Sequence, residues 1–200
     1  NSIMVSPRSR TRLSPDARRQ QLLDTTQALL ISKGLQSFTM EGLAKSAAVS
    51  APLVYNYFAN RTELLQALLK REYQRFVEEF SALARDAQNF EDIVRISVTT
   101  NFDHQAPGHV LPLLLSQPEI SDCLKVERRR HSRQNGRFLV RAAAEQYQLS
   151  PRQAGMVVSM SSGASIAAAE LAASASLDRD EAMELAVAYI LAGIERIASL

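Results

Sequence analysis

Residues 39–58 read TMEGLAKSAAVSAPLVYNYF, and this stretch decides the fold prediction. Thr39 and Ser50 each precede a short run of helix-forming residues. Both are preferred N-caps, because a hydroxyl oxygen accepts a backbone N–H that the first helical turn leaves unbonded. The spacing predicts helices over 39–47 and 51–57 with a tight turn between them. Two short helices joined in this way indicate a helix-turn-helix.

The second of these helices has two distinct faces. Val54 and Phe58 lie four residues apart, so they share a face and are expected to anchor the helix inward. The other face is then free to enter a DNA major groove. The outward set is Ser50, Leu53, Tyr55, Asn56 and Tyr57. The alternative for the two tyrosines is that they extend an aromatic core around Phe58.

The outward residue types suit DNA contact. The hydroxyls of Thr39 and Ser50 can bind phosphate oxygens, and so can Arg61 just beyond the second helix. Asn56 can bind a base edge, and Leu53 can contact a thymine methyl group. The sequence therefore predicts both backbone contacts and base contacts for this region.

Cap and breaker residues predict helices along the rest of the chain. Ser14-Pro15-Asp16 and the capping-box sequence Asn60-Arg61-Thr62-Glu63 open helices. Asn89, Ser150-Pro151 and Asp178 are further helix starts. The fold prediction is all-α with about nine helices. The predicted parts are a basic mobile arm (1–13), a helix-turn-helix domain (14–60) and a larger helical domain (61–200).

Positive charge is concentrated near the N-terminus. Residues 1–70 contain nine basic and four acidic side chains, a net charge of +5, and residues 71–200 carry −3. A basic module on a mildly acidic body is typical of nucleic-acid-binding proteins. The alternative is a chance excess of arginine in a flexible tail.

Composition excludes several other classes. The single cysteine, Cys123, excludes an internal disulfide framework and a cysteine-cluster metal site. No apolar run approaches the roughly 20 residues that span a bilayer, and the N-terminus lacks the apolar region of a secretory signal. A cytoplasmic protein without a membrane partner is expected. We also expect no catalytic site, cofactor or metal, since His104 and His109 flank a Pro-Gly break without further ligands in sequence.

The segment from Arg18 to Leu69 resembles the DNA-binding domain of the tetracycline-repressor (TetR) family. Its informative parts are Lys33-Gly34, Phe38-Thr39, Leu43-Ala44, Ala47-Ala48-Val49-Ser50, Val54-Tyr55-Asn56-Tyr57-Phe58, Asn60-Arg61 and Glu63-Leu64-Leu65. The resemblance implies a three-helix DNA-binding domain, a connecting helix and a larger domain for ligand binding and dimerisation. It also implies phosphate contacts at Thr39 and Arg61, and a recognition helix from Ser50 to Tyr57.

Two departures from that family pattern affect the predicted contacts. The family often has Gly where this chain has Val49, and Lys, Arg or Gly near Ala51 and Pro52. The pair Ala51 and Pro52 removes polar base contacts. We predict a dimeric regulator, a repressor of a palindromic operator that a small-molecule effector releases. The alternative is an all-helical ligand-binding or interaction protein whose helix-turn-helix no longer reads a specific operator.

The C-terminal part supplies the predicted dimer and effector sites. Helices at about 151–175 and 179–198 are rich in small and aliphatic residues and are expected to pair with their symmetry mates. The alternative is that both helices serve only the core of one protomer. An effector pocket is expected among the middle helices. Its candidate lining is Phe76, Phe80, Phe102, Met156 and Met160.

Overall fold

The computed structural model describes residues 13–106, 108–175 and 177–200, with the backbone alone at 127–135. These residues form ten α-helices, one 3-10 turn (Asp122–Leu124) and no strand. The helices are α1 (Pro15–Lys33), α2 (Met40–Ser46), α3 (Ala51–Tyr57), α4 (Arg61–Arg85), α5 (Phe90–Gln105), α6 (Leu111–Leu115), α7 (Pro118–Ser121), α8 (Lys125–Tyr147), α9 (Pro151–Ala175) and α10 (Arg179–Ala198). The all-α prediction is confirmed. The described helices number ten rather than about nine, because the proline-interrupted region before α8 contains two short helices.

Side-chain hydrogen bonds cap four of the predicted helix N-termini. The side chains of Ser14, Asn89 and Asp178 each accept the backbone N–H three residues further on, at 3.2, 2.9 and 2.9 Å. Ser150 and Gln153 form a reciprocal capping box: the Gln153 N–H donates to Ser150 Oγ at 3.3 Å, and the Ser150 N–H donates to Gln153 Oε1 at 3.0 Å. Local sequence therefore sets where these helices begin.

The chain divides into two compact units, the first ending at Leu64 and the second comprising Leu65–Leu200. The first turn of α4 thus belongs to the first unit, four residues beyond the boundary expected at residue 60. Of the predicted mobile arm, residues 1–12 lie outside the described residues.

The first unit has its own hydrophobic core. Leu22, Leu23 and Leu30 of α1 are buried, as are Leu43 of α2 and Val54 of α3. Gly34 ends α1 with φ 76° and ψ 169°, a backbone conformation that is essentially restricted to glycine. The first unit is therefore a three-helix domain. The end of α1 requires glycine at position 34.

The second unit is built around α9. This helix packs against α5, α8 and α10, and the buried side chains of Ala154, Ser165 and Ala169 are small enough to let the neighbouring helices approach closely. By length and composition alone α9 could cross a membrane, with a mean hydropathy of 1.3. Its contacts make it instead the central helix of a packed helical core.

Candidate functional site

The helix-turn-helix is formed by α2 and α3. Thr39 caps α2, and its Oγ1 accepts the Gly42 N–H at 3.0 Å, which leaves the hydroxyl hydrogen free to donate outward. Ser50 occupies the N-cap position of α3 but makes no side-chain capping hydrogen bond. Both hydroxyl groups are exposed. The structure thus leaves the Thr39 and Ser50 hydroxyls accessible to phosphate oxygens.

The turn between the two helices contains a left-handed residue, Ala48, at φ 54°. The Val49 N–H donates to the Ala44 carbonyl at 3.0 Å, which closes the turn around it. The family comparison made from sequence pointed to Val49 as the position where glycine is usual. In this structure the conformation that favours glycine is at Ala48.

The two faces of α3 differ in burial. Val54 and Phe58 are buried, with exposed fractions of 0% and 1%. Ser50, Pro52 and Asn56 are exposed, as is Tyr55 at 43%, while Ala51, Leu53 and Tyr57 are half-buried. Tyr55 is therefore not part of the core. Tyr57 lies at the edge of the outward face.

Tyr55 has a partner that the sequence analysis missed. Its hydroxyl donates to Glu41 Oε1 of α2 at 3.2 Å. Partial burial raises the pKa of Tyr55, and the hydrogen bond and negative charge of Glu41 raise it further. The phenol therefore stays protonated, and remains a hydrogen-bond donor, throughout the neutral pH range.

Arg61 was expected to contact a phosphate, but the structure engages it within the first unit. Its Nη2 donates to the Leu35 carbonyl oxygen at 2.9 Å, and its guanidinium lies 6.0 Å from the centre of the Phe38 ring. A guanidinium has five N–H donors, so a phosphate contact would have to use those that remain. Here Arg61 ties the start of α4 to the segment that follows α1.

The described part of the first unit, residues 13–64, is only weakly basic. It contains five basic side chains (Arg18, Arg19, Lys33, Lys45 and Arg61) and four acidic ones, a net charge of +1. Most of the N-terminal positive charge comes from Arg8, Arg10, Arg12 and Lys70, which lie outside this range. The exposed face of α3 itself carries no charged side chain.

The second unit contains a cavity of about 700 Å³ among α4, α5, α6 and α9. Phe76 and Phe80 line it, as predicted from sequence. The three other predicted lining residues do not. Phe102 is buried in the core, and Met156 and Met160 are 56% and 58% exposed on α9. The sequence shows that these residues are apolar, but it does not show which of them face the cavity.

Polar groups also line this cavity. Asn101 Nδ2 donates to the Ser97 carbonyl and to Ser165 Oγ, both at 2.9 Å. His104 Nε2 lies 3.1 Å from Glu79 Oε2. Sequence spacing could not reveal this carboxylate, because Glu79 belongs to α4 and lies 25 residues before His104. Across the described residues, no cluster of three or more potential metal ligands occurs.

An apolar surface on α9 and α10 faces outward. Met156, Met160 and Leu171 of α9 are exposed, as are Leu185 and Tyr189 of α10 at 65% and 75%. The opposite face of α10 is buried in the core through Val187, Ile190 and Ile194. The two helices therefore have apolar side chains on both faces. We call the five exposed residues the α9/α10 patch.

Comparison with known proteins agrees with this architecture. The model of the family described as bacterial regulatory proteins, tetR family, matches residues 22–68, which include the whole of the helix-turn-helix. The match assigns the N-terminal domain of the chain to the TetR family. The all-α fold of the chain follows the pattern of that family, with an N-terminal helix-turn-helix domain and a larger helical C-terminal unit.

Curated relatives match this chain over part of its length. The transcriptional activator FasR of Mycolicibacterium smegmatis is 28% identical over 121 residues, which cover 58% of this chain and 55% of FasR. The nucleoid occlusion factor SlmA of Actinobacillus pleuropneumoniae is 33% identical over 94 residues, 46% of each chain. The matched region thus spans about half the length of these relatives.

Solved structures share the fold over nearly the full length. A TetR-like regulator from Rhodococcus sp. RHA1 has a TM-score of 0.62 at 22% identity, covering 92% of this chain and 98% of that one. The fatty acid degradation regulator FadR from Bacillus halodurans has a TM-score of 0.66 at 18% identity, covering 90% and 97%. At these identities the likeness establishes the fold.

Proposed function

We propose that this protein is a non-enzymatic transcriptional regulator of the bacterial cytoplasm. It binds a palindromic DNA operator as a homodimer, represses transcription there, and is released by a small-molecule effector. The observation that carries the proposal is the outward face of α3: it exposes Tyr55 and Asn56 while Val54 and Phe58 hold the helix in the core. A recognition helix needs one face that is buried in its own domain and one face that is exposed to the major groove.

The proposed DNA contacts fall into two groups. Thr39 and Ser50 supply hydroxyls at the N-terminal ends of α2 and α3, where backbone N–H groups also favour a phosphate. Tyr55, Asn56 and Tyr57 supply polar atoms toward base edges or phosphates, with Leu53 positioned toward a thymine methyl group. Ala51 and Pro52 contribute shape only. Arg61 is secondary in this scheme, since the Leu35 carbonyl already holds it.

The proposed dimer forms through the α9/α10 patch. The patch exposes five large apolar side chains on helices that also form the core, and burial of these side chains against a second protomer would remove them from water. A two-fold interface would pair each patch with its copy and place one α3 helix of each protomer toward one operator half-site. Relief of apolar exposure is the physical reason for association.

The cavity of about 700 Å³ is the proposed effector site. Its size falls within the range of small-molecule pockets, and its walls combine aromatic rings with a few polar groups. An effector releases DNA only if it binds the DNA-incompetent conformation more tightly than the DNA-bound one. This linkage defines the regulatory step that we propose.

Binding-site selection from a pool of random-sequence duplexes tests the proposed function. The purified protein should enrich an inverted repeat, and its affinity should fall steeply as salt concentration rises. Enrichment of no sequence would contradict operator binding and would favour a ligand-binding protein that no longer reads DNA. A reporter fused to the enriched site then distinguishes repression from activation.

A further inference from the structure

Asn101 lines the cavity, and its side-chain amide is held by hydrogen bonds. Its side-chain nitrogen donates to the Ser97 carbonyl and to the Ser165 hydroxyl, each at 2.9 Å. A backbone carbonyl can only accept, so the nitrogen must face Ser97, and Oδ1 is the polar atom left for a ligand. Ser165 is fully buried, so the core of the second unit holds this orientation.

Glu170 adds a negative charge to the same lining. It belongs to α9, on the same helical face as Ser162 and Ile166, which also line the cavity. It follows Ser165 by five residues, about 7.5 Å along the helix axis. An ionised carboxylate only accepts hydrogen bonds, so Asn101 Oδ1 and Glu170 both favour a ligand group that donates them.

Of the other polar lining residues, Gln105 and Tyr73 can also donate hydrogen bonds, but neither carries a positive charge. Serine hydroxyls such as Ser161 and Ser162 donate or accept equally well. His104 is paired with Glu79, so the pair is neutral when the imidazole is protonated and negative when it is not. Among the described residues that line the cavity, none is lysine or arginine.

Aromatic rings form the apolar part of the lining. Tyr73, Phe76, Phe80 and Phe90 all contribute to it. Such rings bury the apolar part of a ligand, and their faces attract a cation through the ring quadrupole. Both the apolar and the polar parts of the cavity thus accommodate positive charge.

We propose that this cavity binds an amphipathic organic amine. Its ammonium group donates to Asn101 Oδ1 and is attracted by the Glu170 carboxylate, while its apolar part packs on Phe76 and Phe80. The proposal deepens the proposed function, on which it rests for the assignment of this cavity to the effector. It names the chemical class of the effector, which neither the family nor the relatives specify.

A carboxylate-bearing ligand is the competing class. A more open groove next to the cavity shares Phe76 and Phe80 with it and includes Arg137 and Arg141. Arg141 is paired with Glu145 at 2.7 Å, which neutralises its charge. Among the described residues that line the groove, an anionic ligand would therefore depend mainly on Arg137, which lies outside the cavity that Asn101 and Glu170 line.

Titration calorimetry on the full-length protein, without DNA, separates the two classes. The probes are phenylbutylammonium and phenylbutyrate, which share an apolar part and differ in the charge of the head group. We expect the ammonium to bind at least tenfold more tightly, a difference of about 1.4 kcal/mol. Equal or tighter binding of the carboxylate would overturn the proposal, as would binding of neither probe in the millimolar range.

Two variants locate the ammonium group. Glu170→Gln and Asn101→Leu should each weaken phenylbutylammonium binding at least threefold, whereas Glu195→Gln, an exposed acid outside the cavity, should leave it unchanged. Unchanged binding in both cavity variants would overturn the assignment, and circular dichroism verifies that each variant is folded. No DNA is present in these measurements, so failure of the operator-binding test would not change the conclusion about amine binding. If the amine binds but does not release the protein from its operator, only the proposed effector role is refuted.

Discussion

Tyr55 of α3 donates a hydrogen bond to Glu41 of α2 at 3.2 Å, so a carboxylate holds the phenol hydrogen of the proposed recognition helix in the DNA-free protein. A phosphate oxygen can only accept, so Tyr55 must leave Glu41 before it can donate to DNA. Glu41 also places a negative charge beside a surface that we assign to a polyanion. The hydrogen bond and the charge of Glu41 should therefore both lower the affinity for DNA.

Replacing Glu41 by glutamine should therefore strengthen operator binding. Removing one like charge at about 8 Å in water is worth roughly 0.5 kcal/mol, which corresponds to about a two- to threefold lower Kd. Fluorescence anisotropy with a labelled operator duplex measures the change. Glu195→Gln, which removes the same charge from the second unit, should have a much smaller effect, and weaker binding by Glu41→Gln would show that Glu41 assists DNA binding.

The left-handed residue in the helix-turn-helix predicts a stabilising substitution. Ala48 has φ 54°, a conformation that costs a residue with a Cβ atom about 1–2 kcal/mol. Ala48→Gly relieves that cost but loses more chain entropy on folding, so we expect a net gain of about 0.5–1 kcal/mol in the free energy of unfolding. Urea denaturation measures it.

The neighbouring alanine provides the control for this substitution. Ala47 has helical backbone angles and is buried, so Ala47→Gly should destabilise by about 1 kcal/mol. Gly34→Ala should also destabilise, by about 1–3 kcal/mol, because its φ of 76° is paired with an extended ψ. If Ala48→Gly and Ala47→Gly changed stability in the same direction, the assigned turn geometry would be wrong.

The α9/α10 patch predicts that one charged substitution separates the protomers. Tyr189→Arg places a charge where a 75%-exposed aromatic side chain is proposed to be buried against its copy. Sedimentation equilibrium should show a dimer for the native protein and a monomer for the variant, with correspondingly weaker operator binding. Phe138→Arg, at an exposed aromatic residue of α8, is the matched control and should remain dimeric; a dimeric Tyr189→Arg would place the interface elsewhere.

The N-terminal arginines predict the salt dependence of DNA binding. Residues 13–64 carry a net charge of only +1, whereas Arg8, Arg10 and Arg12 add three positive charges. Replacing all three by alanine should reduce the slope of log affinity against log salt by up to about 3, since each phosphate neutralised contributes about 0.9. An unchanged slope would show that these arginines do not contact DNA. Sequence preference should be retained in either case.

The sequence predicted the features that depend on local patterns. The caps at Ser14, Thr39, Asn89 and Asp178 are side-chain contacts over three residues, and the inward positions of Val54 and Phe58 follow from helical spacing. These interactions need no knowledge of distant parts of the chain, so composition and spacing were sufficient.

Contacts between distant residues were the ones that sequence could not supply. The Arg61 bond to Leu35 joins residues 26 positions apart, and the Asn101 bond to Ser165 joins residues 64 apart. Met156 and Met160 are apolar residues on a helix with apolar side chains on both faces, so periodicity could not distinguish the core face from the outward one. Which of two apolar faces is buried depends on tertiary packing, which local spacing does not encode.

The most direct test of the central claim is the affinity of the selected duplex compared with a scrambled duplex, measured for the native protein and for Asn56→Ala and Tyr55→Ala. Both side chains are exposed, so both variants should keep native helicity and dimerisation. We expect the native protein to prefer the selected duplex by about a thousandfold or more. Each variant should lose at least tenfold of that preference, with little change for the scrambled duplex. Native discrimination in both variants would contradict the assignment of α3 as the recognition helix.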